Sequence, residues 1–404
     1  MRKNSAFGLG FSVLIIIIIL IVIMITKSSN PTPTIPTEAE TKPTALQASN
    51  KDSINANKIK YIKMINEDLG FEIYSNGLLM TIDGGTTWSQ ITYPKLTFGE
   101  FLNGVVIDFI SPKTGWIAVG SHDEPNTIVL HTDDGGNSWD VTHLSNVSGI
   151  ISLDFIDEKH GWLLSNTQGG SMGSSEVELY ATEDGGKHWS ETMKTKSDQQ
   201  TPGSLPYAGH KSGISFKDSQ NGWSTGGIGW SDDIWLYETK DGGHTWKTQD
   251  IPQPPTMKKP YSYPNTSPPK FLSSSDGIFS VTYFGEGDNQ RKVAFYSTMD
   301  SGKSWNPSTP IAVPGPFALD FVSLENGWVI DENGIYATID GGKHWGKITP
   351  NTKFIGIEDL TLISPSVGFV TTFVPASDKS SEDTWKLYKT TDGGHNWFKV
   401  DLIS

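Results

Sequence analysis

From residue 58 onward the apolar positions do not fall at helical spacing; they come in short runs broken by glycine, and the runs recur in a fixed order. An apolar residue (Met64, Phe109, Phe155, Phe216, Phe271, Phe321, Leu362) is followed six positions later by glycine and an aromatic or apolar residue. These pairs are Gly70-Phe71, Gly115-Trp116, Gly161-Trp162, Gly222-Trp223, Gly277-Ile278, Gly327-Trp328 and Gly368-Phe369. A third run places Leu78, Val129, Leu179, Leu236, Phe295, Ile335 or Leu387 five positions before an aspartate. Short apolar runs bounded by glycine and polar residues predict strands.

The third run always ends in Thr-x-Asp-(Gly/Ser)-Gly-x-x-Trp. Seven copies centre on Asp83, Asp134, Asp184, Asp241, Asp300, Asp340 and Asp392, with Ser301 replacing the first glycine of the fifth. The steps between these aspartates are 51, 50, 57, 59, 40 and 52 residues, and a period near fifty marks a repeat array. Each unit reads as strand A, turn, strand B, loop, strand C, Asp turn, strand D. Four strands in each of seven units over residues 58–404 predict an all-β fold, a single seven-bladed β-propeller of four-stranded antiparallel blades. In the Asp turn the threonine hydroxyl and the carboxylate can accept backbone N–H groups that the hairpin leaves open. Glycine supplies a positive φ there, and the indole buries a large ring. Eleven of the 14 Trp occupy the two repeated positions and Trp230 alone lies outside any repeated element, so the Trp read mostly as core.

Ahead of the repeats, residues 6–26 are 21 residues without a charge, long enough for a transmembrane helix. This run exceeds the apolar core of about 7–15 residues of a cleaved signal and lacks a small-x-small site, so an uncleaved signal anchor is expected. Arg2 and Lys3 put the tip, residues 1–5, in the cytoplasm and the rest of the chain outside the membrane. Residues 27–57 hold Pro31, Pro33, Pro36 and Pro43 among polar residues and read as a disordered or extended linker.

With 31 Lys plus Arg against 45 Asp plus Glu, the net charge is −14, which argues against nucleic-acid binding. The absence of Cys excludes disulfides, thiolate catalysis and thiolate zinc sites. The nine His are scattered, with no H-E-x-x-H, and Asp133-Asp134-Gly135-Gly136 lacks the alternating acids of a calcium loop. No metal and no cofactor is expected.

The seven Asp turns resemble the Asp-box (bacterial neuraminidase) repeat, across residues 58–404. Propellers with that repeat include sialidases, xyloglucan hydrolases, the sortilin ectodomain and the photosystem II stability and assembly factors. The single domain with Gly-Trp B strands looks most like the last group. The resemblance implies that the seven Asp-turn aspartates are structural. A sialidase would need three Arg to clamp its substrate carboxylate; only Arg291 lies outside the cytoplasmic tip. The Arg-bearing basic patch of the assembly factors has no counterpart in this Arg-poor chain. A glycoside hydrolase needs only two suitably spaced carboxylates, and Asp108, Asp154 and Asp320, in A strands near the expected axis, are the candidates. Xyloglucan hydrolases face two propellers across a cleft, and one is encoded here.

The long insertions, 166–177, 190–213, 225–233, 250–268, 284–292 and 374–383, all belong to B–C or D–A loops, which emerge on one face. Recognition is expected on that face. Tyr207, His210, Trp230, Asp232, Tyr261, Tyr263, Phe284, Glu286 and Arg291 are the candidate binding residues, with aromatics and Arg the types enriched at hot spots. The expected function is that of a membrane-anchored extracytoplasmic module that binds a protein or glycan partner in the cell envelope, without catalysis. The alternative is a cell-surface glycoside hydrolase.

Overall fold

The computed structural model describes residues 59–74, 77–91, 102–121, 126–166, 173–197, 201–254, 257, 262–285, 291–376 and 384–402. The expected membrane span at 6–26, the tip before it and the linker at 27–57 lie outside the described residues. Among the described residues every regular element is a strand, and no helix is long and apolar enough to cross a membrane.

Five sheets contain four antiparallel strands in chain order. The first is Ile59–Met64, Leu69–Tyr74, Gly77–Ile82 and Ser89–Gln90. The others begin at Leu102–Phe109, Ile150–Phe155, Phe317–Phe321 and Ile357–Leu362 and follow the same order. The repeated glycine explains the shared register. In the third unit Gly161 stands opposite Phe155 on strand A and Thr182 on strand C. A β-carbon there would lie 2.4 Å from the Phe155 ring, so only glycine lets that ring fold over strand B.

Successive sheets pack through the repeated aromatics. Trp116 stacks on Phe155 of the next sheet at 3.6 Å, and Trp162 on Phe216 at 3.8 Å. The same indoles donate N–H to the Asp turn of that next sheet, Trp116 to the Gly185 carbonyl and Trp162 to that of Gly242, each at 2.9 Å. The first and last sheets meet in the same manner: Ile62, Met64, Leu79 and Trp88 form one cluster with Phe369 and Leu387. Lys63 Nζ adds an ion pair to Asp359 at 2.7 Å. This closure joins sheet to sheet by side chains, with no shared strand.

Residues 210–312 depart from the four-strand rule and form one ten-stranded sheet. Two segments expected to be loops contain strands: Ser190–Lys194 is the outer strand of the third sheet, and Ser262–Thr266 lies within 250–268. The second of these pairs through Asn265 with Gly227 on one side and with Thr282 on the other, and so fuses two neighbouring units. Glycine admits it: a β-carbon on Gly227 would lie 2.8 Å from the Pro264 carbonyl oxygen. Thr266 Oγ1 then accepts the Gly226 N–H at 2.8 Å and donates to the Trp235 carbonyl at 2.7 Å.

Candidate functional site: the loop-side rim of the fused sheet

The Asp turns join strands C and D at one end of the sheets, and each is closed by its own hydrogen bonds. In each turn the threonine hydroxyl donates to the aspartate and accepts the N–H of the second small-turn glycine, as Thr182 does from Gly186 at 2.9 Å. The aspartate accepts the N–H four residues on and a side-chain donor from that same residue: Thr87, Ser138, His188, Thr245, Ser304, His344 or Asn396. Hydrogen bonds from the fourth following residue hold Asp184, Asp300, Asp340 and Asp392 down at about 2. These carboxylates are fully committed to their own turns. A polar cleft of about 700 Å³ opens on this side, lined by His160, His188, His244, Asp184 and Asp241 among others. No motif marks this cleft, because its residues come from separate repeats. Among the described residues no three His, Asp or Glu come together as a metal site.

The opposite face is built from the ends of the fused sheet. His210 opens one strand and pairs with Gly227; Ser262 pairs with Phe284, and Phe284 with Arg291. His210, Trp230, Tyr263, Phe284 and Arg291 thereby come to one rim, although 81 residues separate the first from the last. Trp230 and Tyr263 are its exposed rings, at 64% and 46% of their surface. Their segments are tied by the Tyr263 N–H, which donates to the Ser231 carbonyl at 3.3 Å. Tyr263 adopts a φ of 66°, a costly backbone conformation for a bulky residue. Both rings rest on glycine. A β-carbon on Gly173 would lie 3.3 Å from Trp230, and one on Gly229 would lie 3.9 Å from Tyr263. Asp232 and Asp233 follow on the same turn, where Asp233 accepts the Ser231 hydroxyl at 3.0 Å.

Lys211 organises this rim from beneath. Its side chain is wholly buried, and its Nζ donates to the carbonyls of Ser175, Pro206, Tyr207 and Gly209. The segment bearing Gly173 and the segment bearing Tyr207 are thus pinned together by one ammonium, which also lies 5.8 Å from the Trp235 ring. Burial pulls Lys211 down to about 7, while four carbonyl acceptors oppose that pull. No sequence motif marks this residue.

The other candidates have plainer settings. Arg291 donates to the Gly315 carbonyl at 3.0 Å and lies over Phe284 and Phe317, so its guanidinium is engaged within the protein. Tyr207 contributes its carbonyl to the Lys211 cage and to the Ser175 N–H. Tyr261 and Glu286 lie outside the described residues. The axial carboxylates act as struts between sheets. Asp108 accepts the Phe155 N–H at 2.6 Å, Asp154 that of Phe216 at 2.5 Å, and Asp320 that of Leu362 at 2.8 Å. Asp320 also accepts Lys270 Nζ at 2.7 Å. Burial pushes Asp108 up to about 6 against the pull of two backbone N–H groups. Asp154 stands well above the usual carboxylate range, from burial and then from the Asp108 charge.

No family model matches the chain, and no curated protein matches it. Solved structures do. A GH74 xyloglucanase from Xanthomonas campestris is similar at 12% identity, over 85% of this chain and 54% of that one, with a TM-score of 0.51. The fold is a β-propeller. YCF48 bound to a D1 peptide is similar at 18% identity, over 73% of this chain and 80% of that one, with a TM-score of 0.43. YCF48 from Cyanidioschyzon merolae follows at 16%, over 83% and 94%, with a TM-score of 0.47. At such identities the likeness is one of architecture, and this propeller spans about half the length of the xyloglucanase. Sheets of a propeller stack around an axis, which agrees with Asp108, Asp154 and Asp320 bridging successive A strands.

Proposed function

We propose that residues 58–404 form a seven-bladed propeller, held outside a membrane by the anchor at 6–26, that binds an envelope partner without catalysis. The observation that carries this reading is the rim of the fused sheet. Two aromatic rings stand exposed there on a floor made by a buried ammonium, glycine backbone and an added strand. Burying a lysine and holding Tyr263 at positive φ both cost stability, and such costs persist where a site uses them. The bonds made by Asp108, Asp154 and Asp320 favour a structural role for them over acid–base work. YCF48 with its D1 peptide is a precedent for a protein-binding propeller, and the GH74 enzyme is one for a catalytic propeller.

The test is photo-crosslinking in intact cells. A photoreactive phenylalanine replaces Trp230 in one variant and Ile339, an exposed residue of an Asp turn, in the other. Capture of a discrete partner from position 230 and none from 339 is the expected result. Equal capture from both, or capture from 339 alone, would remove the rim from the function.

A further inference from the structure

The boundary between the first and last sheets is held differently from its neighbours. At two other boundaries a B-strand indole reaches the next Asp turn, Trp116 bonding to Gly185 and Trp162 to Gly242. The last sheet has Phe369 at that position, and a phenyl ring has no N–H to give. No strand is shared between the first and last sheets. We infer that this boundary is a proton-operated latch: it is shut while Glu72 is neutral, and it parts locally, with the other sheets folded, when Glu72 ionises. The inference is independent of the rim and of what binds there.

Register fixes what meets at the latch. Glu72 stands opposite Ile62 on strand A and Leu79 on strand C, and opposed side chains of antiparallel strands share a face. Ile62 and Leu79 belong to the cluster that holds Phe369 and Leu387 of the last sheet, so Glu72 points across the boundary. On the far side Thr371 stands opposite Leu387 in the same way. Both Glu72 carboxylate oxygens and the Thr371 hydroxyl are buried without a hydrogen-bond partner. The indole N–H groups of Trp88 and Trp385, which pack against the same cluster, are also buried and unpartnered. Trp139, Trp189, Trp246 and Trp397, at the position of Trp88 in other sheets, instead donate to a glycine carbonyl of their own Asp turns.

These orphaned groups favour opening. A buried polar atom without a partner is costly, and parting the boundary returns all of them to water. Apolar contact among Ile62, Leu79, Phe369 and Leu387 and the Lys63–Asp359 ion pair hold it shut. That balance tolerates a neutral carboxyl but not a bare carboxylate, whose desolvation is far more expensive.

The charges on the surrounding strands are engaged elsewhere. Lys63 is paired with Asp359, and Lys389 lies over the Phe369 ring at 5.2 Å. Tyr61 and Tyr388 pack into clusters on the other faces of their sheets, Lys386 alternates with Leu387 and so turns away, and Glu358 is exposed. Burial is the cause that pushes Glu72 up to about 7. A parted boundary releases that proton near 4.5, so the shut form has its full advantage below 4.5 and loses it as pH rises to 7. Opening stays local because stronger ties lie at other boundaries: the two indole bonds, and the peptide pairing through Asn265.

The experiment is hydrogen exchange, read by mass spectrometry on the full-length chain in detergent at pH 5.5 and pH 8 and corrected for the intrinsic pH dependence of amide exchange. Peptides covering Leu69–Tyr74 and Gly368–Val374 report the latch, and Gly277–Phe284 in the same digest is the reference. Exchange of the latch peptides should be about tenfold or more faster at pH 8 than at pH 5.5, while the reference changes far less. Glu72→Gln should reduce the latch response to that of the reference. Glu72→Leu, which restores the apolar side chain usual at this position, should do the same. Latch and reference peptides changing alike, no change in either, or a latch response that survives both substitutions would overturn the inference.

Discussion

Burying Lys211 without a carboxylate partner among the described residues would be ruinous if its ammonium had nothing to donate to; four carbonyls supply the acceptors. Lys211→Met removes the charge but leaves those four oxygens facing a thioether. Loss of those buried charge-assisted bonds makes the expected cost about 2–4 kcal/mol, read as a lower midpoint in urea unfolding. Asp108 gives a contrasting prediction. An asparagine there keeps an oxygen for the Phe155 N–H and needs no buried charge. The folded carboxyl holds its proton to about 6, while the unfolded one releases it near 3.8, so stability falls as pH rises through that window. Asp108→Asn should therefore match the wild type near pH 4 and exceed it by about 1–3 kcal/mol at pH 8, whereas Asp108→Ala loses the strut at both. Comparing melting curves at the two pH values checks this. A glycosidase acid would be told apart by activity, because the asparagine variant would then lose sugar release.

The elements differ in how far the amino-acid order betrays them. The Asp turn was legible because everything it needs lies within eight residues: a hydroxyl, a carboxylate, two positive-φ positions and an indole. Its carboxylates are held low, so the stability they add is present above pH 4 and disappears as pH falls toward 2. Acid titration followed by circular dichroism should show sheet signal lost as pH falls between those values, as Asp184, Asp300, Asp340 and Asp392 take up protons. Replacing one exposed aspartate, as in Asp340→Ala, should lower the melting temperature modestly and raise the pH at which unfolding begins. The strand Ser262–Thr266 was not legible. It contains Pro264, it is short, and its pairing depends on Gly227 and Thr282 from two different units. A loop and a strand of that kind have the same local signature. The convergence of Trp230 and Tyr263 was hidden for the same reason, although each was identifiable alone as an aromatic residue in an insertion.

At the scale of the whole molecule, the seam between the first and last sheets is distinctive. Glu72 is fully buried there, flanked in register by Ile62 and Leu79, with both carboxylate oxygens lacking a hydrogen-bond partner. The corresponding B-strand residues, Ile117, Leu163, Phe279, Val329 and Val370, are apolar, with Ser224 the other polar one. Facing it across the seam are Phe369 and Leu387; the Thr371 hydroxyl and the Trp88 and Trp385 indole N–H groups are also buried without partners. Lys63 and Asp359 also pair across this seam. Burial alone would pull that lysine down, but the Asp359 carboxylate holds it above its ordinary value. Burial pushes Glu72 up to about 7. The folded state then keeps a proton that the unfolded chain releases near 4.5, so closure weakens as pH rises between those values. Glu72→Gln should be neutral at pH 4 and stabilise by about 3 kcal/mol at pH 8, measured by urea unfolding. Equal effects at both pH values would rule out a neutral carboxyl at the seam.

The strand that joins two units has a mechanical consequence. Where neighbouring sheets touch only through side chains, a small rotation costs a rotamer change; where peptide groups bond across the boundary, the two must move as one plate. A partner tugging on Trp230 therefore strains a stiff double-width panel. Any give in the ring must come from the remaining boundaries, with the carboxyl-bearing seam the softest of them in alkaline surroundings.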